Sequence, residues 1–243
     1  MEHIVKEHER VDDLQLRGLV IIQDPCKFLF GIDAVLLSDF VTIKKGERAL
    51  DMCTGSGVIP ILLSAKGSGS SYIGVDIQQE MIGMARRSVA LNIQSGALAD
   101  GLVTLDVGDI RDTSGLYRPS SFDVITCNPP YIKVGQGLLN EDDARAVSRH
   151  EISCTLNDVI NAAARLLRPG GRFALVHKPH RLAECFELVK LHGLEPKKLR
   201  FIHGTANKEP SLMMLETTRG GGAFLRVMPP LIIQNLCVSA GSK

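Results

Sequence analysis

No uninterrupted apolar run in the 243 residues approaches the roughly 20 that a membrane-spanning helix needs. The longest candidates, such as Val58–Leu63, are the length of core elements. Met1–Arg10 is polar and mixed in charge, and no secretory apolar segment stands there. None of the six cysteines (Cys26, Cys53, Cys127, Cys154, Cys185 and Cys237) makes a closely spaced pair, and no His lies at zinc-finger spacing. They read as small buried hydrophobes in a reducing cytoplasm, and no metal site is expected. Net charge is nearly absent: 28 Lys and Arg against 27 Asp and Glu leave +1. That excludes a histone-like basic coat and an acidic disordered chain. Repeats and long low-complexity stretches are also missing. What remains is an ordinary globular composition, 44% apolar and 23% charged, with length enough to bury a core unaided. The neutrality hides an asymmetry. Residues 1–160 carry 15 basic and 22 acidic side chains, and residues 161–243 carry 13 and 5. Two opposite charges laid end to end point to an electrostatic partner.

Strands and helices alternate along the chain. Arg48–Cys53, Tyr72–Ile77, Val103–Val107, Phe122–Cys127 and Arg172–Val176 read as buried strands. Val58–Ala65 and Glu80–Asn92 read as helices. So does Leu156–Leu167, capped by Thr155 with Asp158 and stopped by Arg168-Pro169-Gly170-Gly171. A further helix carries Leu182, Cys185, Phe186 and Val189 on one face and ends near Gly193. Lys198–Ile202 and Leu212–Glu216 leave no room for a helix between them, so they are expected to pair as antiparallel neighbours. Before the first sheet strand, Leu19–Gln23 and Phe28–Phe30 flank Asp24-Pro25 as a hairpin, and Asp33–Val41 forms a helix. The pattern predicts an α/β fold: a doubly wound, Rossmann-like sheet of about seven strands, mostly parallel, with an antiparallel last strand. We expect a single domain, with a hairpin and cover helix over residues 1–45, a core over 46–235 and a tail over 236–243. The sequence sets no oligomeric state.

Three constellations carry chemistry. Asp51-Met52-Cys53-Thr54-Gly55-Ser56-Gly57 follows a strand and precedes a helix, where open α/β sheets bind ligands. Gly55 and Gly57 let the backbone approach a ligand closely. Asp76 ends the next strand, 19 residues after Gly57, where a carboxylate can accept both ribose hydroxyls. This pair suits a dinucleotide or S-adenosylmethionine. Pro60 stands where the dinucleotide fingerprint has its third glycine, so a pyrophosphate cradle is missing. Asp109 closes the third strand and can accept from the amine of an adenine, with apolar Ile110 beside it. A turn cap is the equally simple reading of Asp109.

The third is Asn128-Pro129-Pro130-Tyr131, at the end of the fourth strand. Two prolines remove two amide donors and set the backbone carbonyls rigidly. The Asn128 oxygen and a Pro carbonyl can accept both hydrogens of a planar amino group, while Tyr131 offers a flat π face. An aromatic amine's lone pair is delocalised into its ring. Two acceptors that favour a pyramidal, partly positive nitrogen lower the barrier to its methylation.

On these residues the chain resembles the class I S-adenosylmethionine-dependent methyltransferases with an Asn-Pro-Pro-Tyr motif. Among them it resembles the bacterial valine-tRNA adenine-N6 methyltransferases. Three stretches carry the closer resemblance: Phe28-Leu29-Phe30-Gly31-Ile32-Asp33-Ala34-Val35-Leu36-Leu37, Leu50–Gly57, and Arg149-His150-Glu151. Together with Asn128–Tyr131, the resemblance spans most of residues 19–235. It implies S-adenosyl-L-methionine as cofactor, S-adenosyl-L-homocysteine as product and tRNA as partner. Asp51, Cys53, Thr54, Gly55, Ser56, Gly57, Asp76, Ile77, Asp109, Ile110 and Asn128 become the expected cofactor contacts, with Gly55 and Gly57 beside its methionine part. Asn128, Pro129, Pro130 and Tyr131 become the catalytic set.

Other readings remain open at this point. Enzymes that methylate the glutamine amide of release factors resemble the same motif, but they usually carry a helical N-terminal domain. Here fewer than 20 residues precede the expected hairpin. Guanine-N2 enzymes of ribosomal RNA carry a Phe in place of the Tyr. A nicotinamide oxidoreductase is disfavoured by Pro60, and a non-enzymatic RNA-binding module by the intact acceptor set. His177, His180 and His203 are not needed for transfer from a sulfonium to an amine. Arg149 and the basic run Lys178, Arg181, Lys190, Lys197, Lys198, Arg200 and Lys208 point to a phosphate-facing surface, with Lys197 and Lys198 as its expected centre.

Overall fold

The computed structural model describes residues 4–27, 29–129 and 154–234. The chain enters through an antiparallel hairpin, β1 (Arg10–Asp13) and β2 (Val20–Gln23), and then α1 (Ile32–Phe40). Next come β3 (Arg48–Met52), α2 (Val58–Lys66), β4 (Ser71–Asp76), α3 (Gln79–Gln94), β5 (Val103–Val107) and β6 (Phe122–Cys127). After residue 153 follow α4 (Leu156–Leu166), β7 (Leu167–His177), a single 3-10 turn (Pro179–Arg181) and α5 (Leu182–Leu191). The chain then runs through β8 (Leu194–His203), β9 (Pro210–Arg219), β10 (Arg226–Val227) and β11 (Leu231–Ile232).

Among the described residues nine strands make one sheet, ordered β10-β8-β9-β7-β6-β3-β4-β5, with β11 also paired to β8. The alternating period of the strands sends successive side chains to opposite faces. Ala49, Val124, Ala174 and Val176 join one apolar cluster with residues of α1, α2 and α3. Leu50, Ile125, Phe173 and Leu175 join the other with α4 and α5. Because both faces are covered, β6 is apolar almost throughout, as its Phe-Asp-Val-Ile-Thr-Cys sequence requires. The expected capping box is present. Thr155 Oγ1 accepts from Asp158 N at 3.2 Å, and Asp158 Oδ2 accepts from Thr155 N at 2.8 Å. Pro60 falls in the first turn of α2, where its missing N–H costs no helical hydrogen bond.

Three expectations need correction. First, β2 pairs with β1 rather than with Phe28–Phe30. The turn between β1 and β2 takes left-handed backbone at Gln15, Arg17 and Gly18. The other edge of β2 is filled from α3. Asn92 Oδ1 accepts from Val20 N, Asn92 Nδ2 donates to Val20 O, both at 2.8 Å, and Ser88 Oγ accepts from Ile22 N at 2.9 Å. Asp24-Pro25 is instead a turn closed by the Asp24 carboxylate, which accepts from Cys26 N at 2.9 Å. Leu29 and Phe30 are not in a strand, and Phe28 lies outside the described residues.

Second, Arg168-Pro169-Gly170-Gly171 forms a bulge inside β7, where the pairing with β6 jumps from Phe122↔Leu167 to Val124↔Arg172. Third, the sheet is wider than seven strands because β10 and β11 pair parallel to β8. Two-residue strands separated by Pro229-Pro230 are too short for periodicity to reveal. The expected pairing of the last long strands holds: β9 lies antiparallel between β8 and β7.

The strand order reverses at β3, whose neighbours are β4 on one side and β6 on the other. Connections leaving a sheet in opposite directions open a crevice at the carboxyl ends of the strands between them. The glycine loop and Asn128 both sit at that reversal.

Candidate active site

The loop after β3 bends through left-handed backbone at Cys53 (φ 57°), Gly55 (φ 53°) and Gly57 (φ 77°). Gly57 is also tightly packed. A Cβ there would lie 3.1 Å from Ala85 Cβ and 3.3 Å from Leu105 Cδ1. The loop therefore needs glycine at this position for backbone conformation and for packing on α3 together.

Asp51 lies beneath the loop at 1% exposure. Thr126 Oγ1, from the paired position on β6, donates to Asp51 Oδ1 at 2.7 Å. The other oxygen, Oδ2, and the neighbouring Thr54 Oγ1 are buried without a hydrogen bond. Burial pushes the Asp51 carboxyl up to about 7, opposed by the nearby hydroxyls of Thr54 and Thr126 and assisted by the charge of Asp76. Buried polar atoms without partners are costly and mark a place that a ligand completes. A buried acid beside a glycine cradle suits a ligand that carries positive charge.

Asp76 ends β4 at 6% exposure. Its Oδ2 accepts from Gly55 N and its Oδ1 from Gln78 N, both at 2.9 Å. The acid thus ties the glycine loop to the start of α3 and holds both in place. Ile77, next in sequence, is an exposed apolar side chain at the same edge. Asp109 sits two residues past β5, at the start of the connection to β6. Arg111 donates to it from its main-chain N at 2.9 Å, from Nε at 3.0 and 2.9 Å, and from Nη2 at 2.5 Å. These bonds depress the Asp109 pKa. Ile110 is buried in the cluster that also holds Tyr117 and Phe122, rather than exposed at the edge.

Asn128 directly follows β6, half-buried, with Pro129 buried behind it. Cys127 pairs with Met52 on one side and Leu175 on the other, which places Asn128 across the crevice from the glycine loop. Pro130, Tyr131 and Arg149 lie outside the described residues. Lys197 and Lys198 are brought to neither part of the crevice. Lys197 Nζ donates to Gly222 O, and Lys198 Nζ pairs with buried Glu216 at 2.8 Å. Two contributors escape sequence reading: Thr126 and Arg111. A hydroxyl in the buried stretch of β6, and a cation two residues from Asp109, are the available signals.

A nine-stranded sheet with a reversed strand set inside it, a glycine loop over a buried acid, and Asn128 at the neighbouring strand end form the frame of an S-adenosylmethionine-dependent methyltransferase. The chain belongs to the methyltransferase domain family, whose model matches residues 43–209. It is similar to proteins named tRNA1(Val) (adenine(37)-N6)-methyltransferase. The one from Aeromonas salmonicida is 30% identical over 81% of this chain and 79% of its own. One from Porphyromonas gingivalis is 29% identical over 84% and 80%. A solved structure described as a predicted O-methyltransferase from Agrobacterium tumefaciens shares the fold. Its TM-score is 0.67 with 21% identity, over 82% of this chain and 86% of that one.

Proposed function

We propose that this enzyme transfers a methyl group from S-adenosylmethionine to the N6 amine of adenine 37 in valine tRNA. The observation that carries the reading is Asn128, held at the carboxyl end of β6 across the crevice from the glycine loop, in a chain whose relatives bear that name. The cofactor supplies an electrophilic methyl group on a sulfonium. Asp76 and the loop around Gly55 and Gly57 bind it, and Asp51 places a buried carboxyl beneath it.

The Asn128 side-chain oxygen and the Pro129 carbonyl accept the two amine hydrogens. They favour the nitrogen as it becomes pyramidal and positive, so they stabilise the transition state more than the planar ground state. Pro129 has no N–H to compete for those acceptors. Tyr131 stacks on an adenine turned out of its own stack. Fixing the amine in line with the methyl group supplies the remaining advantage, and no strong base is required.

The test is nucleoside mass spectrometry after incubation of the enzyme and cofactor with total RNA from a strain lacking the activity. N6-methyladenosine in the valine tRNA fraction is expected. Methylated glutamine in an added release factor, with unmodified RNA, would replace this reading by amide methylation.

A further inference from the structure

We infer that the RNA backbone crosses the carboxyl edge of the sheet over the tips of β7, β9 and β8. There it meets His180 and Lys208. The inference rests on the RNA-methylating reading above and specifies where that substrate lies.

The argument begins with strand direction. β8 and β7 each pair antiparallel with β9, so they run parallel to one another and to β6. The end of β8 at His203 and the start of β9 at Pro210 therefore lie on the same edge as Asn128. The pairings His203↔Pro210 and His177↔Met213 align these tips. Three strand spacings separate β6 from β8, about 14 Å.

Among the described residues the same edge is mainly acidic on one side of Asn128 and mainly basic on the other. On the β3–β4–β5 side stand Asp51, Asp76, Asp109 and Asp112, with Arg111 paired to Asp109. On the β7–β9–β8 side stand half-buried Lys178 and exposed His180 and Lys208. Nearby Glu184 is tied to Arg181 at 2.6 Å, and Glu209 is the acid of the hairpin tip. A cation belongs over the first group and a polyanion over the second.

The tip that carries Lys208 is also fixed. His203 Nδ1 lies 2.7 Å from Lys208 O, Lys208 N donates to Thr205 O at 3.3 Å, and Gln234 N donates to Gly204 O at 3.2 Å. A cation on a turn held at both ends loses little freedom on meeting a phosphate.

The lysines toward the other end of β8 are committed within the protein. Lys190 pairs with Glu195 at 2.6 Å, Lys198 with Glu216, and Lys197 with the Gly222 carbonyl. Lys197 is six residues before His203, about 20 Å further from the catalytic edge at strand rise.

The experiment measures binding of an unmodified valine tRNA transcript at several salt concentrations, with S-adenosylhomocysteine binding alongside. The double variant His180→Glu/Lys208→Glu should bind the transcript at least tenfold more weakly with a shallower salt dependence. Its S-adenosylhomocysteine affinity should match wild type, and Lys197→Glu should change RNA affinity less than twofold. If the wild type methylates the transcript while the double variant binds it normally, the path is overturned and the functional reading stands. A loss in Lys197→Glu as large as that in the double variant also overturns it. A wild type that neither binds nor methylates the transcript overturns both.

Discussion

On the β3–β4–β5 side of Asn128, the polar groups of the catalytic edge are mostly buried and held by hydrogen bonds from strand, loop and helix. Asp51 rests against Thr126, and Asp76 against Gly55 and Gln78. On the β7–β9–β8 side His180 and Lys208 are exposed at the tips, while Arg181 beside them is buried in its pair with Glu184, and Lys198 pairs with buried Glu216 further back. A small ligand of defined shape rewards a rigid, desolvated frame, because fixed dipoles need no reorganisation when it binds. A polyanion contacted through its phosphates is recognised by accessible charge, whose contribution is long-ranged and salt-dependent. On the function proposed above, the two sides suit different partners in one reaction.

The largest effect is expected at the boundary between them. Asn128→Ala should lower kcat by about 10²–10³-fold, the usual loss of one transition-state hydrogen-bonding group. S-adenosylhomocysteine affinity, read by calorimetry, should stay within about threefold, and wild-type turnover would remove Asn128 from the mechanism.

The second prediction breaks the notion that every lysine of the basic half faces RNA. Lys198→Met leaves the buried Glu216 carboxylate without its ion pair and should cost about 1–3 kcal/mol in urea unfolding. The figure is below that of a fully buried pair because the Lys198 side chain is 36% exposed. Adding Glu216→Gln should recover part of the loss.

The third concerns Asp51 in the cofactor-free enzyme. Its folded pKa of about 7 lies above the ordinary 3.8, so the folded state holds the proton more tightly. Stability is therefore greatest below pH 4 as far as this group is concerned, falls as pH rises toward 7, and levels off above it. Asp51→Asn should flatten that slope in denaturation curves taken between pH 4 and 8. An unchanged slope would place the titration elsewhere.

The smallest effect is on Arg111, whose hydrogen bonds occupy the Asp109 carboxylate. If they compete with a ligand amine, Arg111→Ala should tighten S-adenosylhomocysteine binding about 2–10-fold, the worth of one hydrogen bond. Weaker binding would instead show that Arg111 orients Asp109.

Much of this molecule was legible before any coordinates. The glycine loop, Asp76 and Asn128 occur at strand ends that periodicity locates, and the Thr155–Asp158 cap is written within four residues. Periodicity alone does not show that β2 pairs with β1, because the other edge of β2 is satisfied by Asn92, 72 residues away from Val20. Nor does charge composition tell which lysines share an end of a strand.

By itself the sequence determined the alternation of strands and helices, the loop that needs glycine, and the acceptor motif after β6. Each follows from backbone and side-chain chemistry over a few neighbouring residues. Only the tertiary structure decided that β9 lies reversed between β7 and β8, that Thr126 holds Asp51, and that Lys198 pairs with Glu216. It also set Lys208 at the catalytic edge and Lys197 away from it. These depend on strand order and direction, which arise when distant segments bury their apolar faces on a common sheet.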